Sequence, residues 1–466
     1  MSTNDERSLI PVPDRPLASP AAAAERILSA IVRETLVVVR DEAVAQAARF
    51  RIGDYAWCEP DYRQILLWAE ALKMEPLTVI QKLVASTESK RVATEFREGR
   101  MLSISWNLEE LPLSEFKWVE GLTIEQLRLY GSGFSNSRSP EIPEISFCLP
   151  SLRVLDCERA KIAVLNLSGV PNLTKLLCWV NTLAKLDLSN VPNLTELGCS
   201  NNKLTELDLC YVPKLTSLWC VQNEISELDL SLVPNLTTLA CDIWKLTKLD
   251  LSHVPHLNEL LCGGFSLEKL DLSHVPNLIA LECAANQLSE LDLSNVPKLT
   301  TLSCSSNKLA KLDLSHVPNL TTLKCSRNKL AELNLSNVPK LTKLECGENQ
   351  LTGLDLSHVT NLTTVSCELN PFTKLDLCHV PNLIVLSCGG NRLTELNLSH
   401  VPKLTELFCS VSHLTRLDLS HLPNLATLSC SITQLTELDI RPSVSLTTLD
   451  YDSHKTRLIQ RPDQKF

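Results

Sequence analysis

The sequence predicts an α/β solenoid, in which one long parallel sheet is backed by an extended, turn-rich return and preceded by a small helical domain. Three observations predict it. Cysteine recurs every 21 residues, fourteen times without an insertion, from Cys157 to Cys430. Leucine or a close substitute holds five further positions in nearly every repeat, as Leu194, Leu197, Leu204, Leu207 and Leu209 do in one of them. Asparagine stands three places after the cysteine in nine repeats, the first at Asn181 and the last at Asn391. A fixed period without slips means that each turn buries its apolar side only against the next turn.

The elements follow in chain order. Residues 1–20 are expected to form a flexible lead, because Pro11, Pro13, Pro16 and Pro20 interrupt any helix there. Residues 21–120 read as a helical module. A long helix is expected over 21–51, with Ile27, Ile31 and Val38 among its apolar positions. Shorter helices are expected over 60–72, over 75–84 with Pro76 in its first turn, and over 91–101. The module is either a cap that shields the first edge of the repeat sheet or a docking domain with Tyr55, Trp57, Tyr62 and Trp68 as exposed anchors. Residues 121–151 form a transition. Its 131–143 stretch, rich in Gly, Ser and Pro, reads as a mobile loop, and 103–106 and 127–130 read as cap strands.

Residues 152–445 hold the fourteen repeats, and 446–466 a final capping turn and tail. Around Leu197, Gly198 and Cys199 the residues alternate inward and outward, the period of a strand. Stacked at about 4.8 Å per turn, the strands make a rod or arc roughly 65 Å long with a ladder of thiols inside. The return leaves about a dozen residues, too few for a helix with connections at both ends. It carries an Asp between two leucines (Asp208), then usually a Ser, then a Pro (Pro213), and reads as extended or turn-rich. The short amide of the Asn is suited to bond backbone groups that a tight bend leaves unpaired. Asn is replaced at Ala160, Trp244, Phe265, Ser412 and Thr433.

The motif LxxLxCxxN, as at residues 194–202, resembles that of the leucine-rich repeat family. It is most similar to the bacterial branch, including some listerial internalins, in which cysteine replaces an inward leucine. The resemblance covers roughly residues 150–459, with a weaker turn around 122–130. It implies a horseshoe or gently curved arc whose concave strand face does the binding. Secreted members of that branch carry an export signal and often a wall-anchoring tail. No apolar core of an export signal stands in residues 1–20. The expected location is therefore the cytoplasm, with a signal-less secreted effector as the alternative.

Several function classes are excluded on composition. A net charge of −10 over 466 residues argues against a grip on nucleic-acid phosphates. No apolar run is long enough for membrane insertion. The ladder thiols read as packed small hydrophobes, and Cys58, Cys148, Cys210 and Cys378 lie outside the ladder with no base beside them. No metal or cofactor site is expected. The histidines in register (His253, His274, His316, His358, His379, His400 and His421) share their position with Asn190, Asn295 and Asn337 and read as polar turn residues. The repeated Asp lacks the closely spaced oxygen ligands of a calcium loop. No catalytic triad, phosphate loop or zinc-hydrolase helix is visible, and residues 21–120 contain no histidine.

The face of the sheet carries the functional signal. Residues flanking most ladder cysteines are small or polar, as Ser303 and Ser305 are, but early turns differ. Leu177 and Trp179 flank Cys178, Trp219 and Val221 flank Cys220, and Leu261 precedes Cys262. Trp244 and Phe265 either extend this apolar patch along the rim or fold inward where the Asn is missing. Gly198, between the two tryptophans, is expected to leave a shallow gap. Phe408, Val411 and Ile432 form a weaker second patch. Exposed apolar patches mark interaction surfaces, and Trp is a favoured anchor.

The expected function is a noncatalytic protein–protein interaction scaffold that binds an unidentified protein through the concave face. The alternatives are a bacterial effector that targets a host protein, or a structural solenoid whose helical module recruits partners.

Overall fold

A computed structural model describes residues 50–52, 55–85, 94–97, 100–108, 110–111, 117–130, 142–241, 245–264 and 267–466. The expected lead over 1–20, nearly all of the expected helix over 21–51, most of the 131–143 loop, and both Trp244 and Phe265 lie outside them.

Each repeat contributes a three-residue strand, for example Glu196–Gly198, Ser217–Trp219 and Thr238–Ala240. The strands pair in parallel with unbroken register: Leu197 faces Leu218, Leu218 faces Leu239, and Leu239 faces Leu260. Pairing continues turn by turn to Thr448–Asp450. At the other end the sheet runs past the first cysteine repeat through Val154–Asp156, Gln126–Tyr130 and Arg100–Asn107. The short antiparallel strand Glu95–Arg97 closes that edge. In place of the helix expected over 91–101, the described residues 95–97 and 100–101 lie in two strands. The edge of a parallel sheet supplies unpaired backbone groups, and satisfying them outweighs a weak local helical pattern.

The core lies behind the sheet. Every ladder cysteine is buried, together with the leucines of the strand and return and the Val before each Pro (Val191, Val212 and their equivalents). Burial pushes the thiols up, to about 12 at Cys304 and Cys388, so they remain protonated and unreactive at neutral pH. All the described cysteines are free thiols.

The bend after each strand places the second residue past the cysteine in the left-handed region, as at Asn201 (φ +55°) and Arg327 (φ +58°). The chain then turns the Asn inward. Asn202 donates from Nδ2 to the carbonyls of Cys178 (2.9 Å) and Cys199 (3.0 Å), and its Oδ1 accepts from the Leu183 N–H (3.0 Å). The same three bonds recur at Asn328, to Cys304, Cys325 and Leu309. The ladder therefore runs from amide to the backbone of the preceding turn rather than from amide to amide. On the return, Asp carboxylates accept the N–H two residues on, as Asp187 does from Ser189 (2.9 Å). Val191 N–H to Leu188 C=O (3.1 Å) completes the turn.

Two helices pack on the N-terminal end, α1 (Glu59–Leu72) and α2 (Pro76–Ala85). Ile65, Trp68 and Ala69 of α1 and Val79, Ile80 and Leu83 of α2 are buried. Trp68 packs edge-on against Trp106 of the sheet (4.7 Å between centroids), and Trp57 against Phe96 (4.9 Å). Trp57 and Trp68 are therefore core residues and not the exposed anchors considered above. Their rings are amphipathic and large, so a small module needs them to fill its own interior. Buried Asp61 accepts the Met101 N–H (2.8 Å), which ties α1 to the edge of the sheet. Burial raises its carboxyl above the ordinary value.

Candidate functional site

Strand alternation decides which side chains leave the core. In the row before each cysteine, Arg128, Asp156, Leu177, Gly198, Trp219, Ala240, Leu261 and Glu282 lie side by side on the open face. Trp179 stands one place after Cys178, in the parallel row. Its indole swings across the next turn and occupies the space above Gly198, where an added Cβ would lie 1.6 Å from Trp179 Nε1. The Trp179 and Trp219 rings meet edge to face over that glycine, 6.3 Å between centroids. The expected gap at Gly198 is thus filled by tryptophan.

Both tryptophans, Val221 and Leu261 are half-buried on the open face. Leu177 differs from expectation: it points the same way but is only 7 % exposed. It lies instead in the wall of a cavity of about 260 Å³, shared with Val154, Asp156, Lys175, Trp179, Glu196 and Trp219. On this face the side chains of adjacent turns close over the smaller leucine and leave the larger indoles half-buried.

Charged residues that periodicity did not single out line this cavity at Asp156, Lys175 and Glu196, with Arg128 joined to it through Asp156. Arg128 and Asp156, both buried, form an ion pair at 3.3 Å, and the Arg128 guanidinium lies over the Tyr130 ring at 4.7 Å. Lys175 pairs with Glu196 at 2.5 Å. Lys175, Glu196 and Asp156 occupy face positions readable from the repeat. Arg128 lies before the first regular repeat, in the weaker turn around 122–130, and falls outside the 21-residue spacing.

The second patch is split. Phe408 is half-buried, whereas Val411 and Ile432 are 52 % and 65 % exposed at the left-handed bend, with φ of +57° and +56°. Between them Ser410, Ser429 and Ser431 form hydroxyl contacts, and Asp450 accepts from Ser429 (2.7 Å) and Ser431 (2.8 Å). The histidine row is exposed on the return, where His253 Nδ1 meets Ser252 Oγ at 2.9 Å. Among the described residues no group of three or more His, Cys, Asp or Glu side chains is placed to hold a metal ion. No helix of the described residues is long and apolar enough to cross a membrane.

No family model matches the chain, and no curated protein matches it. Solved structures do. The functional domain of InlJ from Listeria monocytogenes, which includes a cysteine ladder, is 30% identical with a TM-score of 0.62, over 82% of this chain and 78% of that one. A leucine-rich repeat protein from Leptospira interrogans matches at 21% identity and a TM-score of 0.59, over 66% of this chain and 89% of its own. YopM, a leucine-rich effector protein from Yersinia pestis, matches at 24% identity and a TM-score of 0.59, over 84% and 98%. These last two share the fold. A common cysteine ladder, the identity to InlJ and the extent of the match together make this chain a member of the internalin-type leucine-rich repeat proteins.

Proposed function

We propose that this chain is a noncatalytic recognition protein that binds a protein target through the open face of its sheet, chiefly over the early turns. The observation that carries the reading is the Trp179–Trp219 pair, two indoles held together on a face whose later turns carry mostly small or polar residues. Half-buried tryptophans in a pre-formed cavity offer a partner large apolar area at little ordering cost.

Within it, a bacterial effector or surface protein that acts on a host target is favoured over a scaffold of the cytoplasm. Membership beside the Listeria monocytogenes protein supports this, as does the fold shared with a protein described as an effector of Yersinia pestis. Burial of Trp57 and Trp68 argues against the helical module as the recruiting element.

The test is capture from host-cell and source-cell lysates with the intact chain and with Trp179→Ala/Trp219→Ala, whose melting must match that of the intact chain. A partner held by the intact chain should bind the variant about thirtyfold or more weakly, the loss expected for a hot-spot tryptophan. A partner retained equally by both would rule out the early face. Capture from host lysate alone would favour the effector reading, and from source lysate alone the cytoplasmic one.

A further inference from the structure

The open face has an uneven charge distribution that its ion pairs conceal. Arg128 is paired with Asp156, Lys175 with Glu196, Arg159 with Glu158, and Lys343 with Glu345. Once these pairs are set aside, six carboxylates remain on the face without an ion pair among the described residues: Glu259, Glu282, Glu368, Glu406, Asp450 and Asp452. One unpaired cation, Lys324, stands against them. The aromatic cavity at the N-terminal end is charge-balanced, and the acidic excess begins just beyond it. Glu259 and Glu282 are exposed on neighbouring strands.

The path between the two features is low. From Trp219 the row passes over buried Ala240 and half-buried Leu261 to Glu282. Three steps at about 4.8 Å span about 14 Å, which is about four residues of extended chain at roughly 3.4 Å each. We propose that the face seats an extended basic polypeptide segment, with an apolar side chain on the Trp179–Trp219 pair and a lysine or arginine about four residues along, between Glu259 and Glu282. The proposal rests on the reading that this face is the binding surface, and it names the chemistry of the partner. Further basic residues then meet Glu368, Glu406 and the Asp450–Asp452 end, so the electrostatic field draws the partner in and sets its direction along the arc.

The probe is a fluorescent synthetic peptide, Phe-Ser-Thr-Ser-Lys-Ser-Arg, beside a counterpart with Glu in place of Lys and Arg. Anisotropy is measured with the intact chain, with Glu259→Gln/Glu282→Gln, with Trp179→Ala/Trp219→Ala, and with Glu227→Gln/Glu290→Gln, which neutralises exposed carboxylates on the return. The basic peptide should bind the intact chain and the return variant alike, and bind the face variant about tenfold more weakly. Its affinity should fall with added salt, and the acidic peptide should not bind.

The proposal is overturned if neither peptide binds, if both bind alike, or if the face variant keeps full affinity. If the peptides bind alike and the tryptophan variant loses both, the face stands as the binding surface and the basic partner is wrong. If the tryptophan variant binds as the intact chain does, the face itself is wrong.

Discussion

Gly198 governs the geometry of the aromatic site. Every neighbour in its row from Arg128 to Trp219 carries a side chain, and only the missing Cβ leaves room for the Trp179 indole over this position. Gly198→Ala would place a carbon 1.6 Å from Trp179 Nε1, so the indole must move. The glycine lacks a left-handed φ, so alanine adds no backbone strain there. The expected outcome is a red-shifted tryptophan emission and weaker partner binding, with an unchanged melting temperature. An unshifted emission spectrum would show that the ring does not depend on that gap.

The turn is the element of this molecule, and its Asn is the joint between one turn and the next. At Ser412 and Thr433 the shorter side chain still reaches the carbonyl of its own turn's cysteine, at 2.8 and 3.0 Å. It does not reach the cysteine carbonyl of the preceding turn, as Asn328 does at 3.0 Å. Asn328→Ala should therefore leave the Leu309 N–H without a partner, take from the Cys304 and Cys325 carbonyls one of the two amide donors that each accepts, and destabilise the fold by about 1–3 kcal/mol. Asn328→Ser should recover part of that loss through the bond within its own turn. Denaturant unfolding of the pair decides it, and equal stability of the alanine and serine variants would remove the own-turn bond from the account.

Across the whole molecule, the return carries an array of Asp residues that acts on stability through pH. At Asp271, Asp313 and Asp355 the N–H and hydroxyl of the serine two residues on both donate to the carboxylate and hold it below its ordinary value of 3.8. A lowered folded-state value means that the ionised form is favoured by folding. The stabilisation is present above 3.8 and is lost as pH falls through the lower folded-state values. Asp61 works in the opposite sense, because burial raises it and its contribution fades as pH rises above 3.8. It is one residue in the cap against a carboxylate in most turns. The melting temperature should therefore hold level between about pH 7 and pH 5 and fall below about pH 4. A flat profile down to about pH 3 would mean that these turns add nothing to stability.

The period of 21 was enough to determine the solenoid, the parallel register, the buried ladder of thiols, the inward Asn and the outward tryptophans. Each is a local consequence of one turn stacking on an identical one, so a single chain carries the information fourteen times over. Beyond the repeats that redundancy ends. The sheet steps by 28 residues from Arg128 to Asp156 and by 23 from Ser105 to Arg128, so two of its strands, legible as cap strands from their own residues, fall outside the 21-residue spacing. Residues read as a helix became an edge strand because the sheet needed a partner there. Tertiary structure alone also sank Leu177 and drew Trp179 over Gly198. Ion pairing across turns neutralised one end of the face and left the other acidic. These outcomes depend on which side chains meet across turns, and that is set by packing and charge in three dimensions rather than by spacing along the chain.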